Sequence, residues 1–253
     1  MQIEKFYKRE RKFHFTLIDP CKQPPSESAG RAKLCENYGT DAIMVGGSHR
    51  GDFDASLFAE AVSLIKKTVK LPVILFPDSA FSITPEIDYI FFMSLLNSRD
   101  PRFLIGEQIM GAPIVRKYNI KPISMAYILI STDEERTTVE KVAESSSKID
   151  RIKSTDIEKA VNYALCADYF GFRSIYLEAG SGAKRAVPDD LISSVRSAVN
   201  IPIIVGGGIR DGETARKKIE AGADAIVTGT ITENEGELNK VEEIVGRIGD
   251  FNK

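Results

Sequence analysis

The sequence predicts an α/β protein of the (β/α)8 barrel class, the TIM barrel, on three observations. A short apolar run stopped by Pro, Gly or a polar residue recurs eight times, and most of these runs are followed by a stretch of helical periodicity. The length, 253 residues, is about that of one such barrel. Glycine-bearing loops follow the last three runs, where barrel enzymes build phosphate sites. The right-handed crossover rule curls this alternation into a closed barrel. An open doubly wound sheet is the other arrangement it allows, and the even repeats and polar strand ends favour closure. One domain over 1–253 is expected.

Residues 4–12 read as an amphipathic helical lead-in. His14, Phe15, Thr16, Leu17 and Ile18 form the first buried strand, stopped by Asp19-Pro20. A Pro-bearing loop with Ser26 or Ser28 as N-cap then opens a helix that closes at Gly39. Ala42, Ile43, Met44 and Val45 make the second strand, ended by Gly46-Gly47-Ser48. Residues 57–69 have helical periodicity, and Val73, Ile74, Leu75 and Phe76 form the third strand before Pro77. Residues 78–87 show little helical pattern, so the third helix is expected to be shortened or replaced by irregular chain. A strand at 89–93, a helix at 103–118 and a strand at 123–130 follow. Residues 131–154 are polar and charged without a central apolar stripe and predict a mobile active-site loop. A helix at 156–170 leads to the sixth strand, Ser174, Ile175, Tyr176 and Leu177, which runs into Glu178. A helix at 188–199, a seventh strand in IPIIVGGGIR, a helix ending at Gly222, an eighth strand at 225–228 and a helix at 237–247 complete the chain.

Composition excludes several classes. Lys and Arg number 34 against 36 Asp and Glu, a net charge of -2, so the summed field gives no reason to expect nucleic acid as a partner. Hydrophobic residues make up 43% and charged residues 28%, as in a soluble globular protein. Three cysteines, Cys21, Cys35 and Cys166, are odd in number and lack zinc-site spacing, which points to a reducing, cytoplasmic setting. The first dozen residues are too charged for a signal peptide, and no apolar run approaches the roughly 20 residues of a membrane span.

Chemistry concentrates at the strand ends. Gly180-Ser181-Gly182, Gly206-Gly207-Gly208 and Gly229-Thr230 are expected to be neighbours on one rim. Glycine there lets the backbone take positive φ and bring N–H groups close to phosphate oxygens. Glu178, at the end of its strand beside this nest, is placed as a general base, with a buried salt bridge to Lys or Arg as the structural alternative. Tyr176 reads as a core aromatic. Asp19 and Ser48 end adjacent strands and could together hold a hard cation such as Mg2+, or could equally be turn and cap formers. His14 is expected to pack or hydrogen-bond in its strand, and Lys22 and Lys184 suit anion binding. Phe91, Phe92, Met93, Leu95 and Leu96, followed by Asn97, put unusual apolar surface at the end of the fourth strand. With the third helix missing, these residues could line a groove for a hydrocarbon tail, each buried CH2 contributing about 0.8 kcal/mol.

The motifs HFTLIDP at 14–20, TDAIMVGGS at 40–48, FFMSLLNSRDP at 91–101, YLEAGSGA at 176–183, IVGGGIR at 204–210 and GADAIVTGT at 222–230 carry a resemblance over nearly the whole chain. The sequence resembles the archaeal geranylgeranylglyceryl phosphate synthases and their bacterial heptaprenyl relatives. The resemblance implies a prenyltransferase that joins sn-glycerol 1-phosphate to geranylgeranyl diphosphate with release of diphosphate, an ether-bond step of archaeal membrane lipid synthesis. It implies that Tyr176, Leu177, Glu178, Ala179, Gly180, Ser181, Gly182, Gly207, Gly208, Gly229 and Thr230 hold the glycerol phosphate. Tyr176 and Glu178 are then the catalytic pair, and Asp19 and Ser48 hold Mg2+. It further implies a homo-oligomer, brought near membranes by its lipid substrate. The family often has an acid where this chain has Cys21, which puts a second carboxylate contact to magnesium in question. On the residues alone, a sugar-phosphate isomerase, a flavin-phosphate enzyme and a non-catalytic phosphate sensor stay open.

Overall fold

The computed structural model describes residues 3–47, 53–133 and 149–253. Its strands are β1 (Phe13–Ile18), β2 (Ala42–Val45), β3 (Val73–Leu75), β4 (Tyr89–Leu95), β5 (Lys121–Ser131), β6 (Ile152–Lys153), β7 (Ile175–Glu178), β8 (Ile203–Gly206) and β9 (Ala225–Thr228). Eight of them pair in parallel in the circular order β1, β2, β3, β4, β5, β7, β8, β9, and β9 returns to β1, so the sheet closes. The (β/α)8 barrel therefore replaces the open-sheet alternative. The two-residue β6, absent from the sequence reading, extends β5 outside the barrel by pairing with Ile130 and Ser131.

The helices are α1 (Ile3–Tyr7), α2 (Pro25–Asn37), α3 (Ala55–Thr68), α4 (Glu107–Lys117), α5 (Ile157–Tyr169), α6 (Asp189–Ala198), α7 (Gly212–Glu220) and α8 (Asn239–Gly249). Between β3 and β4 stands only a 3-10 turn, Ala80–Ser82, as the weak periodicity of 78–87 predicts. The lead-in helix is shorter than expected. It stops at Tyr7, Arg9 takes φ 55°, and Arg9 and Lys12 turn back to the carboxylate of Asp224. The helix expected at 103–118 begins as a π-helical turn, Arg102–Gly106, where the Ser94 hydroxyl donates to the Leu104 carbonyl at 2.7 Å. The loop predicted at 131–154 falls for the most part, at 134–148, outside the described residues.

Strand alternation separates two cores. Phe13, Phe15, Met44, Ile74, Phe91, Met125, Tyr176 and Ile204 fill the barrel, with Phe6 of α1 stacked edge-on against Phe13. The intervening residues Ile43, Val45, Val73, Leu75, Ile175, Leu177, Val205 and Ile226 pack against the helices. The interior is filled through its lower layers, which leaves the C-terminal rim for a site.

His14 is 1% exposed and has its ring nitrogens 2.9 Å from the Thr40 hydroxyl and 3.0 Å from the Thr228 hydroxyl. Burial pushes its pKa down to about 3. The unfolded chain therefore binds a proton below pH 6.5 that the folded chain refuses until about pH 3. Stability contributed by neutral His14 is complete above pH 6.5 and is lost as pH falls through that window, by about 1.4 kcal/mol per pH unit. Urea unfolding across pH 4 to 7 should show this slope, and His14→Gln should flatten it.

Candidate active site

Asp19 follows β1, Phe76 follows β3, Glu178 ends β7, and the loops after β8 and β9 begin with Gly207 and Gly229, so all five stand on one rim. They line a single cavity of about 310 Å3 that continues sideways through the gap left by the missing third helix. Its inner part is polar, with Asp19, Lys22, Glu178, Ser181, Thr230 and Glu233. Its side branch is mostly apolar, with Ile83, Phe91, Phe92, Met93, Leu95 and Phe103 beside the polar Ser79, Glu107 and Gln108. Of the five apolar residues expected here, Leu96 instead packs against the outer core. Asn97 is fully buried, and its amide is used to hold the carbonyls of Leu129 and Asp150.

Glu178 shares the inward face with Tyr176, two residues earlier on β7. Its carboxylate is 6% exposed, accepts the Gly180 N–H at 2.5 Å, and accepts a hydrogen bond from the Tyr176 hydroxyl. Burial raises its pKa, and those two hydrogen bonds only partly offset the rise. Among the described residues no Lys or Arg pairs with it, and its hydrogen-bond partners are Tyr176 and Gly180. Burial likewise raises the Tyr176 pKa well above 10, and the phenol stays a donor.

The glycines allow this close packing. A Cβ on Gly206 would lie 2.1 Å from the Tyr176 hydroxyl, and one on Gly207 would lie 2.6 Å from the Glu178 carboxylate and 2.8 Å from the Gly180 nitrogen. Gly180, Gly182, Gly207 and Gly208 have φ of 102°, 76°, 81° and 72°. Gly229 departs from the expectation. Its φ is -131°, so the positive-φ argument does not apply to the loop after β9, which continues into a 3-10 turn, Thr230–Thr232. There Thr232 donates to the carbonyl of Leu17 at 3.1 Å, tying the turn to β1.

The residues expected to hold glycerol phosphate thus divide. Ser181, Gly207, Gly229 and Thr230 line the cavity with Tyr176 and Glu178. Gly180, Gly182 and Gly208 shape the backbone behind it. Leu177 and Ala179 point into the outer core, and the Ala179 amide donates to the Gly206 carbonyl, so both belong to the barrel wall. We expect Gly207→Ala to be soluble but to lose most activity, since the new methyl displaces Glu178 and strains a left-handed backbone by about 1 kcal/mol or more. A kcat within twofold of the parent would count against this arrangement.

Asp19 faces the cavity with its carboxylate against Gly47, where a Cβ would come within 2.2 Å. Lys22 lies 3.8 Å from it and 2.5 Å from Glu233, a bridge that joins the β1 and β9 loops and that the sequence did not signal. Ser48, the other expected magnesium residue, lies outside the described residues. Burial, with Asp19, Asp78 and Asp54 nearby, pushes the Cys21 thiol up to about 11, so it carries no charge at neutral pH. Lys184 is exposed and absent from the cavity wall; its amide binds Asp133. No helix among the described residues is long and apolar enough to cross a membrane.

Known proteins share both sequence and architecture with this chain. It is 48% identical to the geranylgeranylglyceryl phosphate synthase of Thermoplasma volcanium over 241 residues, 95% of this chain and 92% of that one. Identity with the synthase of Pyrococcus furiosus is 45%, over 92% and 90% of the two chains. The crystal structure of (S)-3-O-geranylgeranylglyceryl phosphate synthase from Thermoplasma acidophilum in complex with substrate sn-glycerol-1-phosphate superposes with a TM-score of 0.91 at 42% identity, covering 99% of each chain. The model of the PcrB family matches residues 5–247, and with these relatives it shows that the chain belongs to that family.

Proposed function

We propose that this protein is a prenyltransferase that forms an ether bond between sn-glycerol 1-phosphate and a prenyl diphosphate, geranylgeranyl diphosphate, and releases diphosphate. One observation carries the reading: a glycine nest for phosphate and an apolar side branch for a tail meet at a single buried carboxylate, Glu178. The relatives' names and the glycerol phosphate bound in the T. acidophilum structure support the same reaction. A sugar-phosphate isomerase or flavin-phosphate enzyme gives the apolar branch no purpose, and a phosphate sensor has no use for a base.

The glycerol phosphate is held by its phosphate at the loops after β7, β8 and β9, so that its terminal hydroxyl faces the carbon to be alkylated. Glu178 takes the hydroxyl proton, and Tyr176 holds the carboxylate in place. Lys22, on the cavity wall, offers a cation to the diphosphate. Asp19 fits magnesium: it is a hard oxygen donor on the cavity wall, and Mg2+ favours one or two protein oxygens with water and phosphate completing its shell. Ser48 is its proposed companion ligand. When bound, Mg2+ draws off charge developing on the departing diphosphate. The protein works as a cytoplasmic homo-oligomer that meets membranes through its lipid substrate and product.

The test is incubation with labelled sn-glycerol 1-phosphate, Mg2+ and geranylgeranyl diphosphate, followed by organic extraction. Label should move into the organic phase, and label remaining in water would overturn the reading. Asp19→Asn should raise the magnesium concentration needed for half-maximal rate by about tenfold, against an unchanged titration if Asp19 is not a ligand.

A further inference from the structure

Phe76, Tyr127 and Tyr176 form a ring cluster that the sequence reading did not assemble. Their centroids lie 5.3 Å apart for Tyr127 and Tyr176, 5.6 Å for Phe76 and Tyr127, and 5.7 Å for Phe76 and Tyr176, with interplanar angles of 52°, 75° and 66°. Tyr127 and Tyr176 sit directly across from each other on paired strands β5 and β7, and Phe76 follows β3. All three line the cavity. The two tyrosines are 5% and 1% exposed, whereas Phe76 is only half-buried, so its ring keeps open surface toward the cavity.

The geometry points to the Phe76 ring, braced by Tyr127 and Tyr176 behind it, as an aromatic wall that stabilises positive charge on the allylic carbon during transfer. This rests on the prenyl-transfer reading above. In that step the bond between C1 and the diphosphate oxygen breaks, and its electron pair leaves with the diphosphate. The glycerol hydroxyl oxygen donates a lone pair to C1, and its proton passes to Glu178. Between breaking and making, positive charge is spread over the allyl group. The reacting carbon must touch the hydroxyl that Glu178 deprotonates, and the Tyr176 hydroxyl is bonded to that carboxylate, so the carbon lies beside the cluster. An aromatic face attracts a cation within about 6 Å of its centroid, most strongly where water is excluded. A neutral wall of π electrons suits this position because it favours charge in the transition state without binding the neutral substrate tightly.

Replacing Phe76 with mono-, di- and trifluorophenylalanine withdraws π density stepwise at nearly constant shape. The single-turnover rate of ether formation should fall progressively, by about tenfold at the third fluorine. KM for glycerol phosphate and the melting temperature should hold, and Phe76→Leu should lose at least as much rate as the trifluoro variant. Ether product formed at one rate across the fluorinated series would overturn this role of Phe76 while leaving the transferase reading intact. Absence of ether product from the unmodified enzyme would overturn both.

Discussion

Glu178→Gln is expected to lower kcat by about 10²- to 10⁴-fold, the contribution of a positioned base, while KM for glycerol phosphate changes little. The amide oxygen can still accept the Gly180 N–H, and the amide NH2 can donate to the Tyr176 hydroxyl oxygen, so the site keeps its shape and loses the proton acceptor. The same substitution should leave the melting temperature at or above that of the parent. Burial raises the Glu178 pKa above its usual 4.5, so the folded state prefers the protonated acid and the unfolded chain the ionised one. The charged carboxylate therefore destabilises the fold increasingly as pH rises from 4.5 through its raised pKa, and Gln relieves that cost. Activity has the opposite sign, since the base must be ionised. The acid limb of the kcat profile should lie above the range of an ordinary carboxylate, and Glu178→Gln should erase it.

Asp224→Asn should have the largest effect on stability. The side chain is fully buried at the N-terminal end of the barrel, opposite the cavity. One oxygen meets Arg9 at 3.1 Å and Lys12 at 2.9 Å, and the other meets Arg196 at 3.0 Å and the Ile203 N–H at 3.0 Å. A single carboxylate thus clasps the lead-in segment, α6 and β8 to β9. Removing its charge leaves three partly buried cations without their counter-ion, and breaking such a pair costs about 3 kcal/mol. Urea unfolding should register that loss, with a melting temperature lower by about 6–12 °C for a chain of this size. At a temperature where the variant is folded, kcat should stay near the parent value, because the clasp touches no cavity residue.

The legible part of this molecule is the part written locally. Each barrel strand is a short apolar run with a stop signal, so Ile175 through Glu178 could be placed on a strand and at its rim from four residues and the glycine after Ala179. The missing third helix was equally readable, because 78–87 lacks helical periodicity. Contacts between distant residues were not readable. Phe76 meets Tyr127 and Tyr176 across the barrel, Lys22 meets Glu233 over 211 positions, and Lys12 meets Asp224 over 212, with no local pattern to signal any of them. Register decided others: Leu177 and Ala179 share the Glu178 motif, yet period-two alternation turns their side chains into the outer core. Gly229 looked like its counterparts in the other two loops, but a glycine states only that unusual φ is allowed, and here the turn takes an ordinary one.

The central claim is that the glycine nest orients glycerol phosphate so that its terminal hydroxyl meets Glu178. A crystal structure of this protein with sn-glycerol 1-phosphate tests it directly. The phosphate is expected against the loops beginning at Gly180, Gly207 and Gly229, with the terminal hydroxyl about 2.6–3.2 Å from a Glu178 oxygen. A phosphate seated on those loops with the hydroxyl turned away from Glu178, or a phosphate bound elsewhere, would contradict it.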